Sequence, residues 1–164
     1  MKQFLFLGAL VLFGTIASPA IAGIADSPLP VLLAGNSTFH LYSVPGVRSS
    51  LGLGTYFDCT STNTAPVQIG VEISYDTGGP PANDAAATSV SVAAGQTVTF
   101  GTRTPVGLDI NVDLGVALLG TGSARIVATA KNLVCTAFVA DYFNLPLLTT
   151  WQLTIVKKTK QKGD

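Results

Sequence analysis

From Val67 to Asp76 the chain alternates between apolar and polar positions almost without error. Val67, Ile69, Val71, Ile73 and Tyr75 fall on one face, and Gln68, Gly70, Glu72, Ser74 and Asp76 on the other. That period of two predicts a half-buried β-strand. The stretch TGGPPAND then ends it, with two glycines and two prolines. The same signal recurs along the chain. STFHLYSV is predicted as a strand closed by Pro45-Gly46, and LGLGTYFDCT places Leu51, Leu53, Thr55, Phe57 and Cys59 on one face. TSVSVAAGQTVTFGT reads as two short strands around Gly95. GLDINVDLG, SARIVATA, LVCTAFVAD and TTWQLTIV follow, with Lys131-Asn132 as a tight turn between the second and third of these. No segment carries a convincing long-helix pattern, and no repeat of solenoid length is present. About eight strands with an inside and an outside predict two stacked antiparallel sheets.

The ends of the chain carry different signals. Lys2 precedes the apolar run FLFLGALVLFGTI, Ser18-Pro19 breaks it, and Ala20-Ile21-Ala22 fits a small-x-small cleavage site. The run is shorter than the roughly 20 residues a membrane span needs. Residues 1–22 are therefore expected to be a signal peptide, and the protein to be secreted, whether extracellular, periplasmic or held at the cell surface. No transmembrane segment is expected after cleavage. Residues 23–36, with two prolines before VLL, read as an extended leader, because proline and the residue before it resist helical torsions. Asn36-Ser37-Thr38 has the form of a glycosylation acceptor. Residues 37–156 form the expected sandwich domain, and residues 157–164 a basic tail that keeps the last strand soluble.

Composition narrows the functional classes. Charged residues make up 11% of the chain, against about 25% in an ordinary domain. A surface of threonine, serine and glutamine suits an extracellular β protein and argues against a nucleic-acid partner.

Cys59 and Cys135 both fall on the apolar side of their strands. In an oxidising compartment two such cysteines pair by default, with buried inert thiols as the alternative. A metal site lacks further ligands at suitable spacing, and a nucleophile needs an exposed, activated thiolate. With these cysteines, the strings AAGQTVTF and GSARIVATAKNLVCTAFVAD resemble secreted bacterial immunoglobulin-like modules of unassigned role. The resemblance implies an all-β, immunoglobulin-like antiparallel sandwich of about 7–8 strands, with one intersheet disulfide. Antibody-like domains differ: here Trp151 follows both cysteines, and Leu133 stands two residues before the second.

The constellations that could carry chemistry are weak. Asp109, Asn111 and Asp113 begin like a calcium loop, but Leu114 and Gly120 stand where its glycine and glutamate belong. They read better as the wet face of a strand. His40 is the only histidine, and no serine sits in a nucleophile elbow. No enzyme activity and no cofactor are expected. The most informative oddity is LVCTAFVAD, whose second face, Val134, Thr136, Phe138 and Ala140, is also mostly apolar. LGVALLG, Leu114 to Gly120, reads as an apolar loop. Either the VLL leader or a long loop covers the second face of LVCTAFVAD, or that face is a partner surface made of Val127, Val134, Phe138, Leu114, Leu118 and Leu119. The expected function is a non-catalytic structural or interaction module of the cell envelope or extracellular matrix. Its expected partners are a second copy, an envelope protein or a polysaccharide. The alternatives are a carbohydrate-binding module using Tyr56, Tyr142 and Phe143, and a subunit that assembles by donating its leader strand.

Overall fold

The computed structural model describes residues 27–158, apart from 118 and 145–148. The signal stretch and the end of the basic tail lie outside that range. Among the described residues ten strands form, against about eight expected: β1 (Phe39–Ser50), β2 (Leu53–Ser61), β3 (Val67–Tyr75), β4 (Val90–Val92), β5 (Thr97–Gly101), β6 (Val112–Asp113), β7 (Leu119–Ala128), β8 (Leu133–Asp141), β9 (Thr150–Gln152) and β10 (Val156–Lys157).

These strands do not make two separate sheets. They form one sheet in the order β4-β3-β7-β1-β2-β5-β6, with β8 also on β2, β9 on β8 and β10 on β1. The sheet curls into a half-barrel. One wing is β4-β3-β7-β1 with β10, and the other is β9-β8-β2-β5-β6. The wings share only a short seam, where Ser49 and Ser50 pair with Gly54 and Leu53. Their inner faces enclose one core that includes Val44, Phe57, Ile69, Val71, Phe100, Ile126 and Ala137. Each large side chain buried there stabilises the fold by roughly 1.5–3 kcal/mol. Tyr42 ties the wings together by donating its hydroxyl to the Leu133 carbonyl.

Strand β1 makes the curl possible. Pro45-Gly46, predicted as a terminator, lies inside it. Gly46 takes φ +83°, and the register with β7 shifts between Pro45 and Val47. The extra residue is absorbed as a bulge, which bends the strand. Proline is tolerated because β10 covers only Tyr42 and Ser43 on that side and β2 only Ser49 and Ser50, so Pro45 faces a gap between them.

Three further expectations change. GLDINVDLG is strand only at Val112–Asp113, which pairs in parallel with β5. TTWQLTIV splits into β9 and β10, because Leu153 and Ile155 turn in to pack on the core as the chain crosses between wings. The stretch after β6 does not lie wholly on the surface: Leu114 and Val116 join the core, and Leu119 starts β7.

Candidate functional site

Cys59 and Cys135 are bonded, with Cα atoms 4.2 Å apart. They face each other directly across β2 and β8. The expected intersheet bond is thus corrected to a cross-strand bond within one wing. Directly opposed residues in an antiparallel ladder approach to about 4.5 Å where they lack mutual hydrogen bonds, which is the geometry these two cysteines occupy. Both lie against the core, so the bond is structural.

The outer face of β3 and β7 holds the buried charges. Glu72 and Arg125 are direct partners in the register of the two strands and form an ion pair that is almost wholly buried. The Arg125 guanidinium also donates to the carbonyls of Ser27 at 2.9 Å and Pro28 at 2.7 Å. The leader therefore lies over this face. Leu32 is buried above Gly70, where an added Cβ would meet its Cδ2 at 3.1 Å and the Ala85 carbonyl at 2.9 Å. The leader is not extended throughout, for it turns between Leu33 and Asn36. Val127 is completely buried on this side, so it is no contact residue. One clue to the clamp was present in the sequence: a lone glutamate and a lone arginine each interrupt an apolar strand.

The second face of β8 is different. Val134 is 60% exposed, uncovered by the described residues. Thr136 is exposed, Phe138 is half-buried, and Ala140 is buried. Thr136, Phe138, Thr150, Trp151 and Gln152 line an open groove of about 440 Å³ along the β8–β9 edge. Gln152 pairs with Phe138, and Trp151 with Val139, so the tryptophan leans from the sheet edge toward the opposite side. Of the expected partner surface, only Val134 and Phe138 remain. Val127, Leu114 and Leu119 are buried, because the leader and the core claim them, and Leu118 lies outside the described residues.

The expected sugar-contact residues are separated. Tyr56 is completely buried, its ring 5.4 Å from that of Phe138. Gly54 and Gly101 leave room for it: a Cβ on Gly54 would lie 2.7 Å from the tyrosine hydroxyl, and one on Gly101 3.2 Å from the ring. Burial, with help from Asp141, Tyr142 and Asp113, pushes the Tyr56 phenol up to about 12. No sugar can stack on it there. Tyr142 and Phe143 lie at one end of the barrel, with ring centroids 4.2 Å apart.

The acidic run is used structurally. Asn111 accepts from the Thr99 amide at 2.7 Å and donates its own amide to the Thr99 carbonyl at 2.9 Å. Its side chain thus continues the ladder of β5. Asp113 accepts from the Gly115 amide and the Thr104 hydroxyl, and Asp109 is exposed. Among the described residues no three His, Cys, Asp or Glu side chains gather as a metal would need. The His40 Nε2 lies 3.0 Å from the Ser43 hydroxyl and 3.1 Å from the Tyr42 carbonyl. Burial, and then nearby Lys158, hold its pKa below the usual imidazole value. Compared with known proteins, the chain matches no family model, no curated protein and no solved structure.

Proposed function

We propose that this is an exported, non-catalytic interaction module of the cell envelope or extracellular matrix. Its contact face is the outer surface of β8 and β9. The observation that carries this reading is the open outer face of β8, where Val134 is 60% exposed, Thr136 is exposed and Phe138 lines the groove, while the equivalent face of β3 and β7 is sealed by the leader. An apolar strand face left open where its counterpart is closed suits a partner. Kinship with immunoglobulin-like modules draws support from the antiparallel wings around one core. The cross-strand position of the disulfide counts against it.

The test is capture of an envelope or matrix fraction by the protein, with Val134→Lys and Phe138→Ser as variants. Capture or self-association lost in both supports the reading. A monomer at high concentration that captures nothing, or capture indifferent to both changes, overturns it.

A neutral polysaccharide is the second reading, favoured by the groove's composition: an aromatic ring beside Thr136, Thr150 and Gln152, none of them charged. A glycan screen without hits removes it. Strand donation loses support, because the leader lies across its own domain's face and turns at Leu33–Asn36 rather than running on as a strand.

A further inference from the structure

The β1–β2 hairpin turns through Leu51 and Gly52, at φ +54° and +81°. Two left-handed residues in succession define a turn that favours asparagine, aspartate or glycine. Leucine pays for its side chain there with strain. Leu51 is the only non-glycine with positive φ among the described residues. It gains no packing in return, since it is 95% exposed.

Two more apolar side chains stand beside it. Phe143, 66% exposed, comes from the loop after β8, and Val106, 50% exposed, from the loop after β5. Backbone bonds hold the three loops together. The Tyr142 amide donates to the Gly52 carbonyl, and the Val106 amide to the Tyr142 carbonyl, both at 3.0 Å. The Asp141 carboxylate fixes the loop after β8 by accepting from the amides of Phe143 and Asn144, each at 2.9 Å. The protrusion is therefore built into the fold. Behind this apolar tier lies a second one: the Tyr142 ring, with the Arg103 guanidinium 5.9 Å from its centre. Arg103 is anchored by donating to the Ser49 carbonyl at 3.2 Å.

We propose that this end of the barrel is a lipid-contacting tip. Leu51, Val106 and Phe143 enter the acyl boundary, and Tyr142 and Arg103 sit at headgroup depth. The order of polarity with depth, apolar outermost and then aromatic and cationic, matches that of a membrane interface. Lipid suits this arrangement better than protein. The three exposed side chains come from separate loops, and a protein partner would need a pocket cut for each. A fluid bilayer closes around them without one. This inference is independent of the β8–β9 contact face, which lies along the side of the barrel.

The experiment uses protein purified from cells expressing the full chain. The vesicles are phosphatidylcholine with a minority of phosphatidylglycerol. An environment-sensitive fluorophore is attached through Leu51→Cys, and in a second preparation through Thr64→Cys at the opposite end of β2. The expected result is a blue shift on adding vesicles at position 51 and none at 64. In sedimentation, Leu51→Asn and Phe143→Ser each weaken partition roughly tenfold or more, the loss expected when one large apolar side chain leaves the acyl boundary. Leu51→Asn also relieves the turn, so its urea midpoint stays at or above that of the parent, and weaker partition cannot be blamed on unfolding. Partition unchanged by Leu51→Asn overturns the proposal. So does a response at 64 without one at 51, or a dimer in the absence of vesicles that the tip variants abolish.

Discussion

Consider replacing Arg125 by methionine. The side chain is almost fully buried, its length is roughly kept, and its charge is lost. Glu72 then remains inside the protein without its partner. Removing one member of a buried ion pair costs about 3–5 kcal/mol, most of it the uncompensated charge left behind. The carbonyls of Ser27 and Pro28 lose their donors as well, but the leader there is exposed enough for water to replace them in part. A loss of about 4 kcal/mol is expected, a large share of the 5–15 kcal/mol typical of a domain. Adding Glu72→Leu removes the stranded carboxylate, so the double variant recovers at least half of that loss. The coupling measured by the cycle should exceed about 2 kcal/mol. Urea unfolding with the disulfide intact gives the energies. Limited proteolysis between Ser27 and Asn36 gives a second readout, because in this pair it is Arg125 that holds the leader carbonyls. It should speed up in Arg125→Met and in the double variant, and stay slow in Glu72→Gln, where the guanidinium still holds both carbonyls. If Arg125→Met costs less than about 1 kcal/mol, or if the double variant loses the sum of the singles, the clamp is wrongly described.

Replacing Cys59 and Cys135 together by alanine opens a loop of sequence separation 76. Chain entropy sets the loss at about 4–5 kcal/mol, read as a lower urea midpoint matched by adding reductant to the parent. Gly122→Ala would place a Cβ 2.5 Å from the Ser74 carbonyl, forcing β3 and β7 apart, and a loss of about 1–3 kcal/mol is expected in thermal unfolding. Tyr56 has its folded pKa raised from 10.0 to about 12, chiefly by burial. The folded state therefore holds the proton that the unfolded state gives up. Stability from this group is full below pH 10 and falls between pH 10 and about pH 12. Alkaline unfolding of Tyr56→Phe should lose that part of its pH dependence.

The strands could be read from side-chain alternation because each has one face in the core, and β3 takes the span its pattern dictates, although Gly70 and Glu72 on its polar face are buried as well. Position within the sheet could not be read that way. The pattern says that Cys59 and Cys135 both face inward, but not that β2 and β8 are neighbours, so the layer of the disulfide was misjudged. Val127 and Val134 look alike in sequence, each on the second face of its strand. Only the docking of the leader separates them, burying one and leaving the other in solvent. Pro45-Gly46 has strong turn chemistry, yet the gap between β10 and β2 lets the strand continue through it. The tip is invisible for a simpler reason: alternation puts Leu51 on the inward face of a strand, and its torsion is set by the hairpin and not by any pattern of polarity.

The pairing of β1 with β7 bears on how the molecule is made. Phe39 meets Ala128, and Ser27 meets Arg125 across a separation of 98 residues. A ribosome delivers the front of the chain first, so the start of β1 and the leader must wait for β7 until most of the polypeptide has appeared. Contacts this distant are slow to close. The half-barrel therefore assembles late, with the described leader and the start of β1 among the last parts to find their place.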